Sequence, residues 1–256
     1  MPILVEAPLI ETEELPEGFA EIEKPWFVFR YQPVTLFALK MSRATSAAGK
    51  TLLVPTPYAV KLAIVDAALR HGLTNEPENL IRSLTKAEVR IGVPQHACVT
   101  GTIQRIRQET RGTDRKANPE LPPYRSNIAM REVVHFQGAM RIAINAPDLA
   151  PLLLATAPAI NYFGKRGSFF QYTGHDRQTQ LDSMFTQPVE GGGWPWGHAA
   201  TLDDFGPNAT FEALNSFSSA KIERGVHRKF VETMVPLAIF NSGPGFVHYC
   251  APGAMV

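Results

Sequence analysis

Cysteine is nearly absent. Cys98 and Cys250 are the only two in 256 residues, too few for a disulfide framework, and no CxxC pair offers a metal knuckle. Such usage fits a reducing compartment, the cytoplasm. The seven histidines show no HxH or HxxxH spacing, so no zinc motif is legible. No GxSxG marks a serine nucleophile. Long apolar runs are missing too. Thr233 to Val256 lacks Asp, Glu, Lys and Arg, but Asn241-Ser242-Gly243-Pro244-Gly245 splits it into two short runs. A spanning helix needs about 20 continuous apolar residues, so a hairpin is expected there, with no membrane role. The N-terminus has neither a basic nor an apolar leader region, which argues against secretion. These absences predict no cofactor, no metal and no catalytic residue.

Several segments lack charge of one sign. Lys plus Arg is 25 and Asp plus Glu is 24, so the total says nothing about partners, but the distribution does. Residues 1–23 hold seven acids and no base and read as an acidic tail. Lys24 to Val65 holds Lys24, Arg30, Lys40, Arg43, Lys50 and Lys61 and no acid. Residues 95–131 hold seven bases (Arg105, Arg107, Arg111, Arg115, Lys116, Arg125, Arg131) against Glu109, Asp114 and Glu120. A third basic patch spans Lys221 to Lys229. Segregated charge in a near-neutral chain suits a polyanion on one face; ordinary solvated surface is the alternative.

Hydrophobic residues make up 45% of the chain and charged residues 19%, enough for a packed core and against global disorder. Trp26 to Phe37 is aromatic and β-branched, a strand. Thr56 and Pro57 read as N-cap and first helical position of a helix that Gly72 stops. Glu78 to Lys86 is a short helix and Glu88 to Val93 a strand ended by Pro94. Met130 to Phe136 and Ala139 to Ile144 are strand material. Asn145 and Pro147 open a helix to about Thr156, and Ile160 to Tyr172 holds a strand interrupted by Gly164 to Gly167. The order predicts an α+β fold, a ferredoxin-like (RRM-like) split βαββαβ sheet. Residues 24–172 would form this domain, with 95–131 inserted as a basic hairpin. Residues 173–256 would be an extension, rich in Gly, Pro and Trp over 173–220 and closing in a β-hairpin over Phe230 to Ala251.

Two motifs invite chemistry. Ala44-Thr45-Ser46-Ala47-Ala48-Gly49-Lys50-Thr51 nearly spells a phosphate-binding P-loop. That loop needs a helix starting at its Lys and Thr, and Pro55 and Pro57 stand where the helix would run, each costing about 3 kcal/mol in a helix interior. No nucleotide is expected, but Arg43, Lys50 and the hydroxyls suit a phosphate backbone. Asn161 to Phe170 combines Gly164 and Gly167 with Lys165, Arg166 and four aromatics. On an open antiparallel sheet this suits RNA; a tight turn with aromatic core residues is the equal alternative. His96 and His135 flank the basic insertion and are the histidines to consider for acid–base chemistry on RNA.

In order and spacing these features resemble the Cas-five family of CRISPR-associated RAMP proteins. The resemblance rests on the Phe27 to Ala38 strand, Arg43 in a hydroxyl-rich loop and Leu53-Val54-Pro55-Thr56-Pro57-Tyr58-Ala59-Val60-Lys61 at the helix start. Arg131-Glu132-Val133-Val134-His135-Phe136 is similar to the family's Arg-Glu-Tyr-Leu strand, with Val133 in place of Tyr. Tyr162 to Ser168 resembles its Gly-basic-Gly turn, and the closing hairpin Val235 to Tyr249 also fits. Residues 173–220 match nothing in the family. The resemblance implies a non-catalytic subunit of a type I Cascade complex that holds the 5′ handle of the CRISPR RNA. Its partners would be the backbone RAMP subunit and the large subunit, with target DNA met only through the complex. Residues 95–131 would be the thumb. The implied RNA-binding set is Arg43, Lys50, Arg105, Arg107, Arg111, Arg115, Lys116, Lys165 and Arg166. Some relatives cut precursor RNA with Tyr, Lys and His near the thumb; Lys116 here lacks an adjacent His. Two alternatives stand beside this reading: a metal-independent RAMP ribonuclease using His96 or His135, and a ferredoxin-like enzyme of small-molecule metabolism.

Overall fold

The computed structural model describes residues 25–41, 49–164, 166–189 and 196–254. The acidic tail, Arg43 and Lys165 lie outside the described residues. In chain order the elements are β1 (Trp26–Pro33), β2 (Leu39–Lys40), β3 (Thr51–Leu52), α1 (Pro57–Arg70), α2 (Pro77–Lys86), β4 (Glu88–Gly92), β5 (His96–Glu109), α3 (Gly112–Ala117), β6 (Tyr124–Phe136), β7 (Met140–Asn145), α4 (Ala150–Thr156), β8 (Phe170–Gln178), β9 (Gln187–Pro188), β10 (His198–Phe205), α5 (Phe211–Leu214), β11 (Arg228–Val235), β12 (Ala238–Gly243) and β13 (Phe246–Cys250).

The main sheet runs β4-β7-β1-β8, with every neighbour antiparallel. Alternation builds it: Phe27, Phe29 and Tyr31 point into the core under α1, while Val28 points the other way. That second face is not open. Val28 and Ala143 are buried beneath Phe185, with Trp26 and Leu181 alongside. The open RNA-binding sheet expected from the sequence is therefore covered at its centre, because the residues after β8 fold back across it. Thr186 fixes this return: its hydroxyl accepts from the Ile91 N–H, and its own N–H donates to the Ile91 carbonyl.

Helix α1 begins and ends where the sequence places it. Thr56 accepts a hydrogen bond from the Ala59 N–H. At the other end Gly72 sits at φ 64°, Gly72 N–H donates to Leu69 O and Leu73 N–H to Ala68 O, a Schellman close that satisfies two orphan carbonyls. The helix packs on two sides. Val60 and Ile64 meet the sheet core, while Lys61, fully buried, is ion-paired to Asp204 of β10 at 2.7 Å.

The basic insertion is a two-stranded ribbon. β5 and β6 pair without a slip from Ala97↔Phe136 to Glu109↔Tyr124, about 40 Å at ~3.4 Å per residue. The short helix α3 closes its tip. Met130 to Phe136, expected in the main sheet, belongs to this ribbon instead, because Met140 to Asn145 supplies the partner for β1 and β4. The ribbon's root is widened by β13, which pairs with β5, and by β12 beyond it. The expected closing hairpin is thus shorter than Phe230 to Ala251: β11 pairs with β10 and β9 in a separate sheet, and the turn falls between Gly243 and Phe246. Residues 173–220, read as irregular, contribute the end of β8 together with β9, β10 and α5. No helix among the described residues is long and apolar enough to cross a membrane.

Candidate nucleic-acid interface

Where the P-loop-like segment ends, the chain makes a strand rather than a helix. Thr51 and Leu52 pair with Lys40 and Leu39, so no helix N-terminus faces Lys50. The segment instead grips the ribbon root. Glu132 N–H donates to the Gly49 carbonyl, Thr51 N–H donates to Glu132 Oε2 at 3.1 Å, and Lys50 Nζ donates to Glu132 Oε1 at 2.5 Å. Glycine is required here: a Cβ on Gly49 would fall 1.8 Å from the Met130 carbonyl oxygen. The Glu132 hydrogen bond and charge push the Lys50 ammonium above its usual range.

This contact forms one wall of a cleft of about 1050 Å³. The exposed side of α1 supplies another wall with Tyr58, Ala59, Leu62, Asp66, Leu69 and Arg70. The turn after α4 supplies the third with Asn161, Tyr162, Gly164 and Arg166, and Phe211 to Phe217 close the far side. Gly164 and Gly167 hold φ at 77° and 93°, the left-handed backbone that makes this turn tight. Adjacent pairing of β1 and β8 is what brings the Lys50 and Arg166 segments to one place.

Six cations line the cleft: Lys40, Lys50, Arg70, Arg131, Arg166 and Arg228. Three are engaged with acids. Lys50 holds Glu132, Arg70 meets Asp66 at 2.9 Å, and Arg228 donates to Asp203 at 2.6 Å while lying 4.4 Å from the Tyr58 ring centroid. The side chains of Lys40, Arg131 and Arg166 make no hydrogen bond or ion pair among the described residues. Sequence reading assigned Lys50 and Arg166 to RNA; Lys40, Arg131 and Arg228 entered it only within basic segments or a strand motif, and Arg70 was not named. Arg131 was read as part of a strand motif; its position opposite Thr102, beside Glu132, is set by a register that spacing along the chain does not reveal.

The four aromatics of the turn divide evenly. Phe163 and Phe170 are core, with Phe163 edge-on to Tyr31 at 5.0 Å. Tyr162 and Phe169 bridge one another, and Phe169 is exposed. Arg105, Arg107, Arg111, Arg115 and Lys116 lie away from the cleft, along the outer ribbon and in its tip helix, all exposed. Arg105 and Arg107 share the ribbon face that carries Glu132, since the pairs Gly101↔Glu132, Arg105↔Ile128 and Arg107↔Ser126 fall on one side of the ladder. His96 and His135 fall on the opposite side. Among the described residues no three of His, Cys, Asp or Glu converge on one point.

No family model matches the chain. Over 133 residues it is 26% identical to the CRISPR-associated protein Cas5 of Archaeoglobus fulgidus, an alignment covering 51% of this chain and 52% of that protein. The match therefore spans about half the length of that relative. Among solved structures it is similar to a CRISPR protein from Archaeoglobus fulgidus (TM-score 0.44, 13% identity, 90% of this chain and 92% of the other). It is also similar to a chain of a CRISPR RNA-guided surveillance complex (TM-score 0.45, 11% identity, 90% and 92%), and to one of the type III-B Cmr-beta complex bound to cognate target RNA (TM-score 0.41, 11% identity, 60% and 61%). The resemblance read from the sequence stands: the chain is similar to a CRISPR-associated protein.

Proposed function

We propose that this chain is an RNA-holding subunit of a type I CRISPR Cascade complex, built on a ferredoxin-like domain and gripping the 5′ handle of the CRISPR RNA in the cleft. The observation that carries the reading is the set of cations without acid partners among the described residues, Lys40, Arg131 and Arg166, that line one cleft between α1 and the Gly164 turn. Arg guanidinium groups suit phosphate oxygens, and the exposed faces of Tyr162 and Phe169 suit unstacked bases. Arg105, Arg107, Arg111, Arg115 and Lys116 extend the basic path along the thumb to the guide beyond the handle. Arg43 and Lys165, outside the described residues, belong to the proposed set on their place in the sequence alone. The backbone and large subunits would meet the ribbon's outer half, target DNA would reach the chain only through them, and the complex would work in the cytoplasm. A ribonuclease reading is less supported, because neither His96 nor His135 lines the cleft.

The test is binding of repeat-derived RNA by the assembled complex across a salt series. Each phosphate neutralised on a single strand contributes about 0.7 to the log–log slope. Arg166→Ala is expected to weaken binding and flatten the slope by about one such unit, with the RNA uncut. Unchanged affinity and slope for both Arg166→Ala and Arg131→Ala would overturn the assignment.

A further inference from the structure

The two faces of the ribbon sheet differ in charge. β12, β13, β5 and β6 form one antiparallel four-stranded sheet. Residues two apart on a strand share a face, and directly opposed residues share it too. Glu109 and Glu132 therefore lie on one face, with Val99 and Val134. The other face carries Arg131, His135, His96, His248 and Phe246. It receives no Asp or Glu from any of the four strands. Ala97, Val99, Val134 and Phe136, which are buried, point away from it; Cys250, at its far end, is the one fully buried residue these strands place on it.

This acid-free face holds a row of rings. His96 and His248 stand with ring centroids 5.3 Å apart and share a hydrogen bond of 3.2 Å between Nδ1 of the first and Nε2 of the second. Phe240, exposed, packs edge-on against His248 at 5.4 Å. Phe246, also exposed, lies over Gly243, where a Cβ would fall 2.6 Å from its ring. His135, exposed, stands opposite Cys98 on β6. Rings already held in place lose little freedom when a ligand lands on them. Phe246 and His248 are two residues apart on β13, about 6.8 Å. That is twice the ~3.4 Å repeat along a stacked strand, the spacing at which rings and bases alternate. The row also joins the cleft. Arg131 opposes Thr102, next on this face to the Phe246–Thr100 pair, and Arg131 lines the cleft.

We propose that this face is a base-stacking platform for single-stranded RNA, on which a strand leaving the cleft at Arg131 lays its bases over Phe246, His248 and His96, with Phe240 and His135 flanking the path. Unstacked bases seek aromatic and imidazole faces, and the absence of carboxylates spares the phosphates any repulsion. A strand held in the cleft has two ends. The thumb arginines, on the Glu132 face, take the guide side. The ring row, on the opposite face, takes the 5′-terminal bases of the handle. The inference rests on the cleft holding RNA and adds to it a second, uncharged kind of contact at a stated end of the strand.

The experiment uses the full chain and a repeat-derived RNA carrying 2-aminopurine at its 5′-terminal positions, across a salt series. Binding to the parent should quench the fluorophore, as a stacked ring does. Phe246→Leu keeps an apolar cover on Gly243 and removes the aromatic face. It should abolish most of the quench and weaken binding by about 5- to 150-fold, the span of roughly 1–3 kcal/mol for one base–aromatic stack, with the salt slope unchanged because no phosphate contact is lost. Phe240→Leu, at an exposed position, should melt like the parent and show a smaller loss of the same kind, so the matter is still decided if Phe246→Leu folds poorly. Arg166→Ala should do the reverse, flattening the slope and keeping the quench of the RNA that remains bound. No RNA binding by the parent would overturn the cleft reading and the platform together. Binding that depends on Arg166 but shows no quench, or quench and affinity untouched in both ring variants, would overturn the platform alone.

Discussion

The inner and outer halves of the β5–β6 ribbon carry the same alternation and meet different surroundings. On one face of the inner half, Ala97, Val99, Val134 and Phe136 are all buried, with Phe136 edge-on to Phe37 at 5.0 Å. The same face of the outer half carries Ile103, Ile128 and Met130 at 74%, 76% and 63% exposure, interleaved with Arg105 and Arg107. Pattern alone writes both halves alike. What differs is whether the rest of the chain reaches them. A bare apolar strip of this kind marks a contact surface, and its arginines exclude a purely oily partner.

The largest effect should come from emptying the covered half. Phe136→Ala is expected to cost about 3–5 kcal/mol, whereas Ile128→Ala should change stability by less than about 0.5 kcal/mol. Urea midpoints of the free chain compare the two directly. An equal loss at Ile128 would mean that the outer half is packed in the isolated protein.

A second contrast sets a buried hydroxyl in the main sheet against one at the ribbon tip. Tyr31 donates to the Ala157 carbonyl at 2.9 Å, and burial, with a smaller contribution from Tyr172, raises its phenol far above the usual 10.0. The unfolded chain loses this proton near pH 10 while the folded chain keeps it. The folded state then binds more protons, so stability from this group is full below pH 10 and falls as pH rises beyond it. Tyr31→Phe should cost about 1 kcal/mol at neutral pH and flatten that alkaline fall. Tyr124→Phe, at the exposed tip, should leave the whole curve in place. Denaturant midpoints between pH 7 and 11 read both.

The smallest effect contrasts a paired cation at the root with an unpaired one outside. Lys50 is 67% exposed and held by Glu132; Arg107 is exposed and makes no ion pair among the described residues. Lys50→Ala should alter stability by under about 1 kcal/mol and flatten the RNA salt slope by less than Arg107→Ala does, since Glu132 already offsets its charge. A larger slope change at Lys50 would show that RNA displaces Glu132.

What the sequence made legible was local. Thr56-Pro57 and Gly72 bracketed α1, two prolines removed the P-loop, and paired glycines marked the turn before β8. β1 ended sooner than its aromatic run because Pro33 lacks an N–H to continue the ladder. The remainder depended on pairing between distant segments. The alternation of Met130 to Phe136 is that of any strand, and nothing within it tells a ribbon from a main sheet. Phe185, which covers the second sheet face, lies in a stretch without periodicity. The convergence of Lys50 and Arg166 rests on the pairing of β1 with β8, and Arg131 entered through a register read only from the fold.

The pairing of β13 with β5 also sets a timetable for synthesis. The facing residues His96 and His248 are 152 positions apart. At ~5–20 residues per second the second leaves the ribosome about 8–30 s after the first. Throughout that interval the nascent chain holds an unsealed strand edge, a template for stray pairing. The ribbon can zip early, from its own turn, but its root is finished only when the last strand arrives.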